Sequence, residues 1–257
     1  MPQQKLTKGL EKGVGFLGRV VEKLVGQAKK AKEKVGTETS GLHPIMALES
    51  RLSLAKIRQL IDLVGDRFMM QTLPPLREKT VLELGENPLR FQKTILEKKP
   101  KVFCGMVVDD NLPTLLAPAS SLVLKGNLKS IPFENDFFDC VVAHIATPHQ
   151  GDVVSAFKEI GRVLVPGGTG FILDYHPFGL YAKSGTGRMR SIQATIRGLE
   201  DYYKMCRVAS LSITDMHEGF IDDTLRNQFA ASEEMNAFRE IKGTPLVLFL
   251  QVTKKRG

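Results

Sequence analysis

The chain is short of several things that would have decided its class at once. It has three cysteines in 257 residues, Cys104, Cys140 and Cys206, an odd number with no CxxC pair. That excludes a disulfide framework and a thiolate metal cluster, and points to a reducing, cytoplasmic setting. Two of the three stand inside apolar runs, "KVFCGMVV" and "FDCVVAH", where cysteine acts as a small buried hydrophobe. No uninterrupted apolar run reaches the length of a signal peptide or a membrane span. There is no internal repeat, and histidines and cysteines at ligand-like spacing are missing, so no metal is expected.

Charge is also scarce where a nucleic-acid binder would need it. The formal charge is +8, but residues 1–36 hold nine Lys/Arg against three Glu. The remaining 221 residues carry only +2, so the body is nearly neutral and no nucleic-acid groove is expected there. Any electrostatic partner belongs to the N-terminus.

Within residues 5–35, Leu10, Val14, Leu17, Val21, Leu24, Ala28, Ala31 and Val35 alternate steps of four and three. Lysines crowd the other faces of that helical pattern. Five glycines, Gly9, Gly13, Gly15, Gly18 and Gly26, each cost about 1 kcal/mol relative to alanine in a helix interior, so the segment needs a surface to order against. That surface is either a second copy or the protein's own body, or an anionic membrane with Phe16 on the apolar side. "GTETSGLHP" reads as a linker, and residues 44–70 as a second helical stretch closed by "QTLPP". The expected division is a basic amphipathic extension over 1–36, a linker and helical cap over 37–79, and a main domain over 80–257.

After Pro75 the period changes. "TVLEL", "KVFCGMVV", "SLVLKG", "FDCVVAHI" and "TGFILDY" are short strand-like runs, with "LRFQKTILEKK" and "DVVSAFKEIGRVL" as helices among them. Continuous apolar strands alternating with helices predict a doubly wound, mostly parallel Rossmann-like α/β sheet covered on both faces. "ASLSITDMHEG" and "PLVLFLQVTKK" add an antiparallel pair at the C-terminal edge.

One block is specific. "IPF" at Ile131–Phe133, Phe138-Asp139 leading an apolar strand, His149 in the following loop, and a helix ending in "EIGRVLVPGG" (Glu159–Gly168) stand in a fixed order. That order resembles the class I S-adenosylmethionine (SAM)-dependent methyltransferases, and more narrowly the methyltransferase type 11 group that includes quinone-biosynthesis enzymes. The resemblance covers roughly 80–255. It implies methyl transfer from SAM to a small-molecule acceptor, apolar or membrane-associated, or a methyltransferase-fold scaffold that no longer transfers methyl groups.

The resemblance also assigns positions, and here the sequence departs from the pattern. In "TVLELGENPLRF" the acid and first glycine of the cofactor loop are Glu83 and Gly85, but Asn87 and Leu89 stand where further glycines are usual. Asn tolerates left-handed geometry, whereas Leu89 puts a side chain where the ligand or the next helix comes close. The acid after the second strand falls at Asp109 only after a two-residue slip. Asn127 replaces an aspartate at the adenine edge, followed by Leu128; an amide oxygen still accepts there. His144 closes the fourth strand as a cofactor-lining or packed residue. Candidates for a general base are His176, with Tyr175, after the fifth strand, and His149. "SGTGRMR" (Ser184–Arg190) lacks a phosphate loop's Gly-Lys-Ser/Thr and reads as a cover over the substrate, with Tyr202 and Tyr203 beyond it either as substrate contacts or as packing against the sheet.

Overall fold

The computed structural model describes residues 54–85, 89–108, 121–145, 153–176, 198–229 and 232–256. All belong to one compact unit, Leu42–Gly257; a second unit, Met1–Gly41, falls outside the described residues, and with it the amphipathic segment 5–35. His149, Asn87, Asp109 and Ser184–Arg190 lie outside them as well.

The described elements are, in chain order, α1 (Leu54–Thr72), β1 (Thr80–Gly85), α2 (Gln92–Glu97), β2 (Val102–Val107), β3 (Ser121–Lys125), β4 (Phe138–His144), α3 (Val153–Val163), β5 (Leu164–Tyr175), α4 (Leu199–Val208), β6 (Leu211–Phe220), a 3-10 turn (Asp223–Gln228), α5 (Ser232–Ile241) and β7 (Pro245–Lys254). The seven strands form one sheet in the order β3-β2-β1-β4-β5-β7-β6. Strands β1 to β5 are mutually parallel, and β7 runs antiparallel to both β5 and β6. The doubly wound sheet expected from the sequence is therefore present. So is the antiparallel pair at one edge, in which the C-terminal strand β7 lies inside and β6 outermost.

Strand alternation divides the core into two layers. Val81, Phe103, Val107, Cys140, Val142, Phe171, Leu173 and Phe249 face one side. There they meet Leu60, Ile61 and Val64 of α1, and Phe238 and Ile241 of α5. Leu82, Leu84, Met106, Val141, Ala143, Ile172 and Leu248 face the other way and are fully buried. On that side α3 and α4 pack together, and Tyr202 of α4 donates from its hydroxyl to Asp174 Oδ2 of β5 at 2.8 Å. The strands carry unbroken apolar runs because both faces are covered.

The block that carried the resemblance has a mechanical explanation. Arg162 donates to the carbonyls of Ile131 and Phe133, each at 2.8 Å, and to Glu159 Oε1 at 2.7 Å. Glu159 Oε2 accepts from Ile131 N–H at 2.7 Å. One Glu–Arg pair on α3 thus satisfies the backbone of the "IPF" loop with charge-assisted bonds. Of the two glycines in "VPGG", only Gly167 needs positive φ (80°). Asp139 at the foot of β4 accepts from Thr80 N–H and Thr80 Oγ1, at 2.8 and 2.9 Å, which locks β4 to β1 at their amino ends.

Helix α1 is part of this core. It contacts β6 and β7, stacks Phe68 on Phe249 with ring centroids 3.7 Å apart, and joins Arg67 to Asp222 at 3.2 Å. Its approach to β6 is set by Gly219: a Cβ there would come within 2.6 Å of Val247 Cγ2 and collide with Val64 Cγ1. Gly219→Ala is expected to destabilise the fold by about 1–3 kcal/mol through overpacking. Adding Val64→Ala should recover part of that loss in urea denaturation, and additive costs would refute the tight contact.

Candidate active site

In open α/β sheets ligands bind beyond the carboxyl ends of the strands, at the switch in strand order. Here the switch lies between β1 and β4, the two strands on which the chain turns from one half of the sheet to the other. Gly85 ends β1 and His144 ends β4, with Glu83 two residues below Gly85 on the same face.

Glu83 is buried in an otherwise apolar layer. Its Oε1 accepts from the Phe91 N–H at 2.6 Å, while Oε2 is enclosed without a partner. Burial drives its pKa up to about 8, against the opposing pull of the Phe91 hydrogen bond and of Arg90. His144 is partly exposed as a residue, but its Nε2 is enclosed and also unpartnered. Burial, then the nearby Arg90 guanidinium, push its pKa down to about 3, so the ring is neutral. Buried polar atoms are nearly always satisfied, and two orphans at adjacent strand ends call for an explanation.

Gly85 supplies part of it. Among the described residues, a Cβ at this position would meet His144 Cβ at 3.7 Å, an ordinary contact. Its φ is not positive, so neither backbone conformation nor packing by the described residues demands glycine. Glycine weakens a strand, and one kept without an internal reason marks close approach by something else. The residues present fit the amino-acid end of SAM: a strand-end glycine uncrowded by the described residues, beside an unpartnered carboxyl oxygen and an unpartnered ring nitrogen.

The first loop is built differently from a glycine-rich one. Leu89 is buried, and its Cδ1 occupies the place a side chain at Gly105 of β2 would take. A leucine in the loop is matched by a glycine on the neighbouring strand, so Leu89 packs into the core. At the end of β3, Gly126 is filled in the same way by Met106. Asn127 is exposed, and its Oδ1 accepts from Lys129 N–H at 2.8 Å, which leaves the oxygen's second lone pair; Leu128 is buried beside it.

At the end of β5, Tyr175 is half-buried and His176 buried, its Nε2 2.7 Å from Glu218 Oε1 on β6. No motif marks Glu218, which lies 42 residues from His176 along the chain. Tyr202, considered for substrate contact, is instead a core residue bonded to Asp174; Tyr203 is exposed. His217 is half exposed, its ring 5.0 Å from that of Phe68 on α1 and its Nε2 2.7 Å from Asp215 Oδ2. Among the described residues no cluster of His, Cys, Asp and Glu could hold a metal. A cleft of about 290 Å³ lined by Pro75, Lys79, Asp139, Gly167 and Arg256 lies at the amino ends of the strands, away from this site.

Comparison with known proteins agrees with this geometry. A family model described as a methyltransferase domain matches residues 106–172. A SAM-dependent methyltransferase from Mesorhizobium loti superimposes with a TM-score of 0.54 at 16% identity, covering 77% of this chain and all of that one. A protein of Listeria monocytogenes, proposed to be a SAM-dependent methyltransferase, gives 0.61 at 15% identity with the same coverage. Geranyl diphosphate methyltransferase, in complex with its diphosphate and sinefungin, gives 0.52 at 12%, covering 75% of this chain and 78% of that one. In sequence, the uncharacterised Escherichia coli (strain K12) protein YafE is 36% identical over 50 residues, which are 20% of this chain and only about a quarter (24%) of YafE. The chain has the fold of the class I SAM-dependent methyltransferases. The fold expected from the resemblance is borne out, and the family-model match falls on residues 106–172.

Glu83 and His144 make opposite contributions to stability against pH. Between its ordinary value of 4.5 and about 8, Glu83 keeps a proton in the fold that the unfolded chain has released, so its contribution is lost as pH rises through that window. His144 stays neutral in the fold between about 3 and 6.5, where the unfolded chain protonates, so its contribution is lost as pH falls. The two slopes oppose each other from 4.5 to 6.5. Removing the carboxyl by Glu83→Gln should make stability relative to wild type climb from pH 4.5 to 8, at up to about 1.4 kcal/mol per pH unit. Urea titrations at half-unit pH intervals read this directly; a flat difference would mean that Glu83 is ionised in the fold.

Proposed function

We propose that this protein is a SAM-dependent methyltransferase acting on a small acceptor, apolar or membrane-associated. The observation that carries the reading is Gly85 at the end of β1, with room for a Cβ among the described residues, near the enclosed and unpartnered Glu83 Oε2 and His144 Nε2. When bound, SAM supplies an electrophilic sulfonium methyl group. Glu83 and His144 would hold its amino-acid end, and Asn127 and Leu128 would line the adenine.

Much of the rate in such transfers comes from holding the acceptor in line, and the chain's own part is positioning and proton removal. His176 is the group to take the acceptor's proton, with Glu218 orienting the ring and balancing the charge it gains. Phe220, exposed at the end of β6, and Tyr175 give the carboxyl edge an apolar character that suits a hydrocarbon acceptor. The likeness in fold to geranyl diphosphate methyltransferase supports this reading of the acceptor. Residues 5–35 would supply attachment to an anionic membrane or to a second copy.

A second reading, a methyltransferase-fold protein that binds a ligand or partner without transfer, is favoured by Leu89 where a glycine is usual. Calorimetric titration with SAM separates the two. Binding in the micromolar range is expected, weakened at least tenfold by His144→Ala, and no heat at millimolar SAM would overturn the enzyme reading. Co-sedimentation with anionic vesicles should require residues 1–36; full-length protein left in the supernatant would assign the segment to self-association.

A further inference from the structure

The first loop lacks the glycines that usually shape it, so something else must hold its conformation. Arg90 directly follows the buried Leu89, and its guanidinium is engaged on three sides by α1. Nε donates to Asp66 Oδ1 at 3.2 Å, Nη1 pairs with Asp62, and Nη2 approaches the Ile61 carbonyl at 3.4 Å. The guanidinium carbon lies 5.2 Å from the centre of the Phe91 ring, within cation–π range. Arg90's side chain is only 12% exposed, whereas Asp62 and Asp66 are about half exposed.

Helix α1 is shaped for this contact. Gly65 sits in mid-helix, where glycine costs about 1 kcal/mol relative to alanine. A Cβ there would come within 3.0 Å of Arg90 Nη2 and 3.2 Å of Leu173 Cδ2. The helix gives up a side chain to admit the guanidinium. Immediately beyond Arg90, the Phe91 N–H is the donor that holds Glu83.

We propose that Arg90, clamped by Asp62 and Asp66 of α1, is the positioning residue of the cofactor loop, replacing glycine-dependent loop geometry with an ionic tether to an N-terminal helix. The clamp makes α1 part of the binding apparatus: SAM affinity then depends on a helix that does not belong to the nucleotide-binding half of the sheet. It rests on the proposed function for its ligand, but the tether itself does not.

The test uses full-length Asp62→Asn and Asp66→Asn proteins, each of which leaves the buried guanidinium one carboxylate, and Arg90→Lys, which keeps the charge and loses the fork. Two readouts are needed. In the ligand-free protein, amide hydrogen exchange across residues 89–91 should accelerate at least tenfold in both Asn variants, with β4 and β5 unchanged. In the SAM titration, affinity should fall five- to tenfold in the same variants, with the loss in turnover falling on KM for SAM more than on kcat. Arg90→Lys should be intermediate in both. Unchanged exchange at 89–91 in folded Asn variants would overturn the clamp, whatever SAM does. Faster exchange with undiminished SAM affinity would overturn its positioning role. Faster exchange in a protein whose wild type binds no SAM would leave the tether standing and refute the proposed function alone.

Discussion

The buried carboxyl of Glu83 needs a hydrogen-bond donor, and the chain supplies the amide of Phe91. That one bond fixes how the polypeptide returns after β1. Eight residues separate the partners, so the intervening loop must fold back over the sheet instead of extending away from it. Leu89 then lands on β2, where Gly105 leaves room, and Arg90 lands on α1, where Gly65 does. Two glycines outside the loop accommodate what glycines inside it would have made unnecessary. Because a half-satisfied buried acid is costly in low dielectric, the unpaired Oε2 is tolerable only as a neutral group or with a further partner.

Much of the fold was legible because its signals are local. The shift from helical spacing before Pro75 to short continuous apolar runs after it is enough to imply a covered parallel sheet. The "IPF" to "VPGG" block is legible for a related reason. Glu159 and Arg162 lie three apart on one helix and bond to a loop whose sequence is itself recognisable. The place of β7 between β5 and β6 follows from burial: β7 is a continuous apolar run suited to the interior, whereas β6 carries Asp215, His217 and Glu218 and suits an edge.

The site divides along the same line. Glu83, Gly85 and His144 are legible as candidates because the resemblance assigns such positions to strand ends. Their chemical state is not, for it depends on burial and on Arg90, a residue with no motif of its own. Asp62, Asp66 and Glu218 were invisible for a sharper reason: each acts on a partner 24 to 42 residues away, across elements whose juxtaposition only the fold provides. Tyr202 shows the converse. An aromatic residue beyond a presumed substrate cover looks like a contact residue, and the fold turns it inward to satisfy Asp174.

Glycine therefore means different things at different places in this chain, and the distinction bears on function. Gly65, Gly105, Gly161 and Gly219 are each opposed by a protein atom that a side chain would strike, so packing accounts for them completely. Gly167 is required by its backbone angle. Among the described residues Gly85 has neither reason. The substitutions at Asn87 and Leu89 change how the loop is held, by a leucine in a hollow and an arginine on a helix. They leave Gly85 at the end of β1, near the enclosed polar atoms of Glu83 and His144, and the proposed methyltransferase reading rests on that feature and not on the loop's glycine content.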